Sequence, residues 1–158
     1  MPKTPVIGIA DTMFARADMG SLAEQTIRRE APQAIIYRVT VPGIKDLPVA
    51  CKRLLEARKC HIVVALGMPG KMPIDQQCAH EASLGIQWAQ LMTNKHVLEV
   101  FVHEGEGKND QDLAEVMRNR TIKHAVNAVK LLTDPGWLRE RAGTGQRQGR
   151  ANARPLKL

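Results

Sequence analysis

Four short apolar runs alternate along the chain with four stretches of helical periodicity. The runs are Val6–Ala10, Ala34–Val39, Ile62–Leu66 and Val97–Val102. Runs this short and this apolar read as strands covered by helices on both sheet faces. Asp18 is a good N-cap for a first helix, with Met19, Leu22, Ala23, Thr26 and Ile27 on one face and Pro32 as its stop. A second helix starts near Asp46, tolerates Pro48 in its first turn, and buries Leu47, Ala50, Cys51, Leu54 and Leu55. A third runs from about Asp75 to Thr93. Cys78, Ala82, Gly85, Ala89 and Met92 fall on one side of it, and Leu84, Trp88 and Leu91 on another. That exceeds one sheet-facing stripe and predicts a second covering partner, another subunit. A fourth runs from about Gln111 to Thr133, with Leu113, Val116, Met117, Thr121, Ala128 and Leu131 as its apolar period, and Asp134-Pro135-Gly136 ends it.

Alternation of strand and helix with short links predicts an α/β fold with a parallel sheet and right-handed crossovers. The first and third strands carry no charge, whereas the second contains Arg38 and the fourth Glu99. The uncharged strands belong in the middle. The expected architecture is a flavodoxin-like three-layer sandwich with a four-stranded parallel sheet, order 2-1-3-4. The strand-to-helix loops then share one side of the sheet, and a ligand cleft opens between the first and third strands.

Composition changes this picture at the C-terminus. The chain has 158 residues and a net charge of +7. From Gly136 onward Arg139, Arg141, Arg147, Arg150, Arg154 and Lys157 face only Glu140, so the tail holds most of the excess. The expected organisation is a single catalytic domain over 1–136 and a basic tail over 137–158. The segment after Ala142 has little to bury and is expected to be mobile on its own, or else to fold over a neighbouring subunit or close the site. No apolar run approaches the roughly 20 residues of a membrane span. The N-terminus, MPKTPVIGIAD, lacks the features of a signal peptide, so a cytoplasmic protein is expected. Cys51, Cys60 and Cys78 are too few and too far apart for a disulfide framework or a zinc knuckle, and are read as reduced thiols. The basic tail could attract nucleic acid, but no RNA-binding motif accompanies it; neither nucleic acid nor membrane is an expected partner.

The polar and unusual residues collect in the four loops. Loop one, Asp11–Arg16, holds Thr12 and Phe14. Phe14 is one of five aromatics in the chain, and it either caps the local core or stacks on a flat heterocycle. Arg16 suits an anionic or carbonyl group, or is simply solvated. Loop two, Val41–Asp46, turns tightly at Pro42-Gly43, and its backbone with Ile44, Lys45 and Asp46 could hold a polyhydroxyl chain. Asp46 alone would equally be a plain helix cap. Loop three, Gly67–Pro73, includes Met68 and Pro69. It is not a phosphate-binding Gly-x-x-x-x-Gly-Lys-Ser/Thr loop, and no Gly-x-Gly-x-x-Gly follows the first strand, which argues against nucleotide hydrolysis and dinucleotide oxidoreduction. Loop four opens with His103-Glu104, a histidine beside a carboxylate at a strand end and so a candidate acid or base. His80 could face the same cleft. No His, Cys or carboxylate spacing marks a dedicated metal site.

The stretches DTMFARADM (11–19), VPGIKDLPVACKRLL (41–55), ALGMPGK (65–71), CAHEASLGIQWAQLMTNKHVLEVFVHE (78–104) and AGTGQRQG (142–149) strongly resemble archaeal-type riboflavin synthases, a family related in fold to lumazine synthase. The resemblance implies a homopentamer with a site at each subunit interface. It implies the dismutation of two 6,7-dimethyl-8-ribityllumazine molecules to riboflavin and 5-amino-6-ribitylamino-uracil, without an organic cofactor and with magnesium or manganese at most stimulatory. Phe14 would then stack on a pteridine ring. Backbone at Pro42, Gly43 and Ile44, with Lys45 and Asp46, would hold ring or ribityl oxygens, and Met68 and Pro69 would line loop three. Beyond the resemblance, His103 is assigned proton transfer, with Glu104 as its orienter and His80 in reserve. Two rivals remain. Lumazine synthase shares the fold, but it places a Gly-Ala-Thr-Thr-His-like phosphate loop where this chain has Gly67-Met68-Pro69-Gly70-Lys71. A non-catalytic flavin-binding protein would bind riboflavin and consume no lumazine.

Overall fold

The computed structural model describes residues 4–157. The first three residues of the expected domain, part of the N-terminal reading, and the last residue of the tail lie outside the described residues. Four parallel strands, β1 (Val6–Thr12), β2 (Ile35–Val41), β3 (Ile62–Gly67) and β4 (Val97–Phe101), form one sheet in the order β2-β1-β3-β4. This is the order expected from the placement of Arg38 and Glu99. The registers pair Val6 with Ile35, Ile7 with Ile62 and Val63 with Val97.

Five helices accompany the sheet: α1 (Met19–Glu30), α2 (Leu47–Glu56), α3 (Pro73–Thr93), α4 (Asp110–Thr133) and α5 (Pro135–Glu140). α1 and α4 cover one face, burying Met19, Ala23, Ile27, Val116, Ala125 and Val129 against Ile7, Ile9, Val64 and Leu66. α2 and α3 cover the other, burying Leu47, Cys51, Leu54, Leu55, Ala82 and Ile86 against Val63 and Ala65. β1 and β3 are almost wholly buried, as strands sandwiched on both faces must be. Each helix starts where its chemistry allows: Asp18 accepts from the Ser21 amide, Pro73 occupies the first turn of α3, and Asn109 accepts from the Asp112 amide. Burial pushes the Cys51 and Cys60 thiols up to about 12 and about 11, so both stay protonated.

Three expectations need correction. β2 stands at the edge, as expected, but it is not covered on both faces as its apolar run suggested: Ile35 and Tyr37 are exposed. The buried stripe of α3 is Ala79, Ala82, Ile86 and Ala89; Cys78 and Gly85 are half-buried and Met92 is exposed beside Trp88 and Leu91. Small alanines let α3 lie close to the sheet, and the larger apolar side chains turn outward. The tail is not a free strand. α5 follows α4 at once, and Arg147 to Arg150 are hydrogen-bonded to α4 and its preceding loop. No described helix is long and apolar enough to cross a membrane.

Candidate functional site

Backbone pairing extends past the strand ends and knits the loops together. Met13 donates to Val41 O at 2.8 Å and Phe14 to Pro42 O at 3.4 Å, which joins loop one to loop two. Val102 donates to Gly67 O at 3.0 Å and Glu104 to Pro69 O at 2.9 Å, which joins loop three to loop four. The two halves meet at Gly67, where a Cβ would come within 2.7 Å of Ile44 Cγ2 and 3.1 Å of Phe101. Only glycine permits that approach.

Loops one, two and three enclose a cleft of about 300 Å³. Thr12 and Phe14 line it from loop one; Pro42, Gly43, Ile44, Lys45 and Asp46 from loop two; Met68 and Pro69 from loop three. All nine were expected at one ligand site. Phe14 is 71% exposed, with its ring over Gly43, so it does not cap the core. Asp46 makes no side-chain cap to α2; its carboxylate accepts from the Gly43 amide at 3.2 Å and so caps the short turn of loop two. The Lys45 ammonium pairs with Glu81 of α3, which raises its pKa and keeps it charged at the cleft rim. Gly70, Asp75 and Cys78 also line the cleft. Sequence reasoning read Gly70 as a close-approach glycine of loop three but missed Asp75 and Cys78, although they open the helix that follows that loop and that position was the available signal. Replacing Phe14 with Ala should weaken binding of a flat aromatic ligand in this cleft about 2- to 10-fold, the scale of one aromatic stacking contact, with the melting temperature unchanged; a ligand-fluorescence titration measures it.

Four predicted residues lie elsewhere. Arg16 donates to Asp110 at 2.9 Å across to the start of α4 and does not line the cleft. His80 is exposed on α3. His103 and Glu104 follow β4, one strand beyond the cleft. The His103 amide donates to Glu106 at 2.9 Å, and its ring Nδ1 is buried without a hydrogen-bond partner among the described residues. The expected orienter, Glu104, makes no hydrogen bond to that ring among the described residues. Glu106 is the structured carboxylate of loop four. Burial opposes its charge, but hydrogen bonds from Arg120 and the His103 amide outweigh burial and hold it below the usual carboxylate range.

A larger groove of about 720 Å³ runs beside the sheet edge between β2 and α2. It gathers mainly aliphatic side chains and arginine stems and lacks the loop-three residues, so the smaller cleft is the better chemical site. Among the described residues no three His, Cys, Asp or Glu side chains come together as a metal-holding group.

A three-layer sheet with its cleft above the carboxyl ends of the central strands defines a ligand-binding α/β domain. Residues 6–134 match the family model described as 6,7-dimethyl-8-ribityllumazine synthase, and the chain belongs to that family. Within it, the chain is 52% identical over 150 residues to the riboflavin synthase of Methanothermobacter marburgensis, covering 95% of this chain and 98% of the relative. It is 47% identical over 151 residues to that of Archaeoglobus fulgidus, covering 95% and 97%. A 6,7-dimethyl-8-ribityllumazine synthase of Methanococcus aeolicus is 30% identical over 100 residues, covering 62% of this chain and 74% of the relative.

Proposed function

We infer that this chain is a riboflavin synthase, a transferase that dismutates two molecules of 6,7-dimethyl-8-ribityllumazine. The observation that carries the reading is the cleft. It offers an exposed aromatic ring, backbone groups and Asp46 for a flat ring and its polyol, without a phosphate cradle in loop three. Lumazine synthase must also hold a phosphorylated sugar, and loop three here lacks the Gly-Ala-Thr-Thr-His-like string for it. Near-full-length likeness to riboflavin synthases supports the same choice.

The two products together contain the atoms of two substrates, so the reaction needs no external oxidant or group donor and no organic cofactor. The protein's task is to stack two substrates and move protons, and positioning supplies much of the rate. A cleft of about 300 Å³ lies at the lower limit for a small-molecule pocket. It is too small for two lumazines, and His103 lies outside it. In this reading a neighbouring subunit completes the site. The exposed face of α3, with Leu84, Trp88, Leu91 and Met92, is the surface for that neighbour in a homopentamer. Magnesium or manganese would stimulate at most, and the enzyme works in the cytoplasm without nucleic-acid or membrane partners.

Incubation of the purified protein with 6,7-dimethyl-8-ribityllumazine should yield one riboflavin per two lumazines, with or without magnesium. Absence of riboflavin from a folded, assembled protein would overturn the reading. Trp88→Glu should cost about 2–4 kcal/mol at each subunit contact, as a buried aromatic anchor does, and split the assembly into smaller species by sedimentation velocity. An unchanged mass would remove α3 from the interface.

A further inference from the structure

Four consecutive tail residues are each tied to α4 or loop four. The carbonyl of Arg147 accepts from Lys123 at 2.6 Å. Gln148 accepts from the Arg120 Nε. The Gly149 amide donates to Asn119 at 2.8 Å. Arg150 donates to Asp112 at 2.9 Å and to the carbonyl of Glu106. Gly149 is buried with φ +78°, and a Cβ there would come within 2.6 Å of the Arg120 guanidinium. Both the backbone conformation and the contact therefore demand glycine.

Arg120 is the hub. Its side chain is 11% exposed, and its guanidinium donates to the carbonyl of Phe101 at 2.8 Å and to the two Glu106 oxygens at 2.7 and 2.6 Å. The same Glu106 carboxylate accepts the His103 amide. Loop four thus wraps around one buried guanidinium, and without Gln148 its Nε would have no partner. Among the described residues the His103 Nδ1 has no hydrogen-bond partner, so within this chain the ring's place follows from its backbone. That backbone is held by Glu106, and Glu106 by Arg120 and Arg150.

We propose that residues 147–150 are a latch that positions loop four, acting through Arg120 and Glu106, so that His103 is held for its task; the catalytic consequence rests on the synthase reading above. None of the latch residues lines the loop-one to loop-three cleft. Arg120, Gln148 and Arg150 are positioning residues in this scheme.

The test uses the full chain with Gly149→Ala and, separately, Arg150→Ala. Amide hydrogen exchange at residues 103–106 should accelerate at least about tenfold, with β1 amides unchanged. Riboflavin formation should lose about tenfold or more in kcat with KM for lumazine changed less than about twofold. Arg150→Lys, which keeps a donor, should recover part of both. Unchanged exchange at 103–106 would overturn the latch. So would faster exchange with kcat per folded protein unchanged, since that is a merely structural role. If Gly149→Ala does not fold, Arg150→Ala, at an exposed position, decides alone. If the unaltered protein makes no riboflavin, the synthase reading fails separately, and the exchange result alone keeps or ends the latch.

Discussion

His103→Ala should lower kcat for riboflavin formation about 10²- to 10⁴-fold, the range of a positioned acid or base, and change KM for lumazine little. The histidine stands at the carboxyl end of β4, where a three-layer α/β sheet places its reactive groups. Its Nδ1 is buried and unpartnered among the described residues, a condition that costs stability unless a ligand or another subunit supplies the partner. His103 does not line the cleft proposed to bind substrate, so affinity should persist when turnover is lost. Quenched-flow or steady-state kinetics, paired with lumazine titration, separates the two. Near-wild-type turnover would remove His103 from proton transfer and direct attention to His80.

Arg38→Met should cost about 3–5 kcal/mol, because it leaves a nearly buried carboxylate without its counter-charge. Arg38 donates to Asp11 at 2.6 Å, to Asp18 at 2.7 Å and to Ser21 at 2.8 Å, while Thr40 donates to Asp11 at 2.7 Å. The Asp11 side chain is only 7% exposed, so once Arg38 is gone a single hydroxyl must stabilise its charge. The cluster ties β1, β2 and the start of α1 together directly below loop one. At about 2–4 °C per kcal/mol for a chain of this length, the melting temperature should fall roughly 6–20 °C. The loss has a pH signature through Asp18. Hydrogen bonds from the Ser21 hydroxyl and amide, aided by Arg38, lower its pKa from 3.8 to about 2. A carboxyl lowered on folding contributes stability above its unfolded value and loses it as pH falls through the folded one. Both proteins keep the Ser21 hydrogen bonds, so the urea midpoint of each should fall between about pH 4 and pH 2, and the gap between them narrows only by Arg38's lesser share. A gap below about 1 kcal/mol at neutral pH would show that the cluster is solvated.

The sheet order was legible because charge placement separates strands with one neighbour from strands with two: Arg38 and Glu99 mark the edges, and Val6–Ala10 and Ile62–Leu66 carry nothing that needs water. Nine cleft residues were legible for a related reason, since alternation of strand and helix sends every strand-to-helix loop to one side of the sheet. The resemblance then named the chemistry those loops serve.

Other features depended on contacts between residues far apart in sequence, which no local pattern encodes. The departure of Arg16 toward Asp110, the capture of Glu106 by Arg120, and the burial stripe of α3 all belong here. The tail is the clearest case. Its composition reads as mobile because it has little apolar surface to bury, and its order comes instead from hydrogen bonds to α4 side chains, Asp112, Asn119 and the buried Arg120 guanidinium among them. Hydrophobic periodicity reports which face of an element leaves water. It does not report which polar groups, once brought inside, require partners from elsewhere in the chain, and that second requirement is what fixed loop four and the tail that holds it.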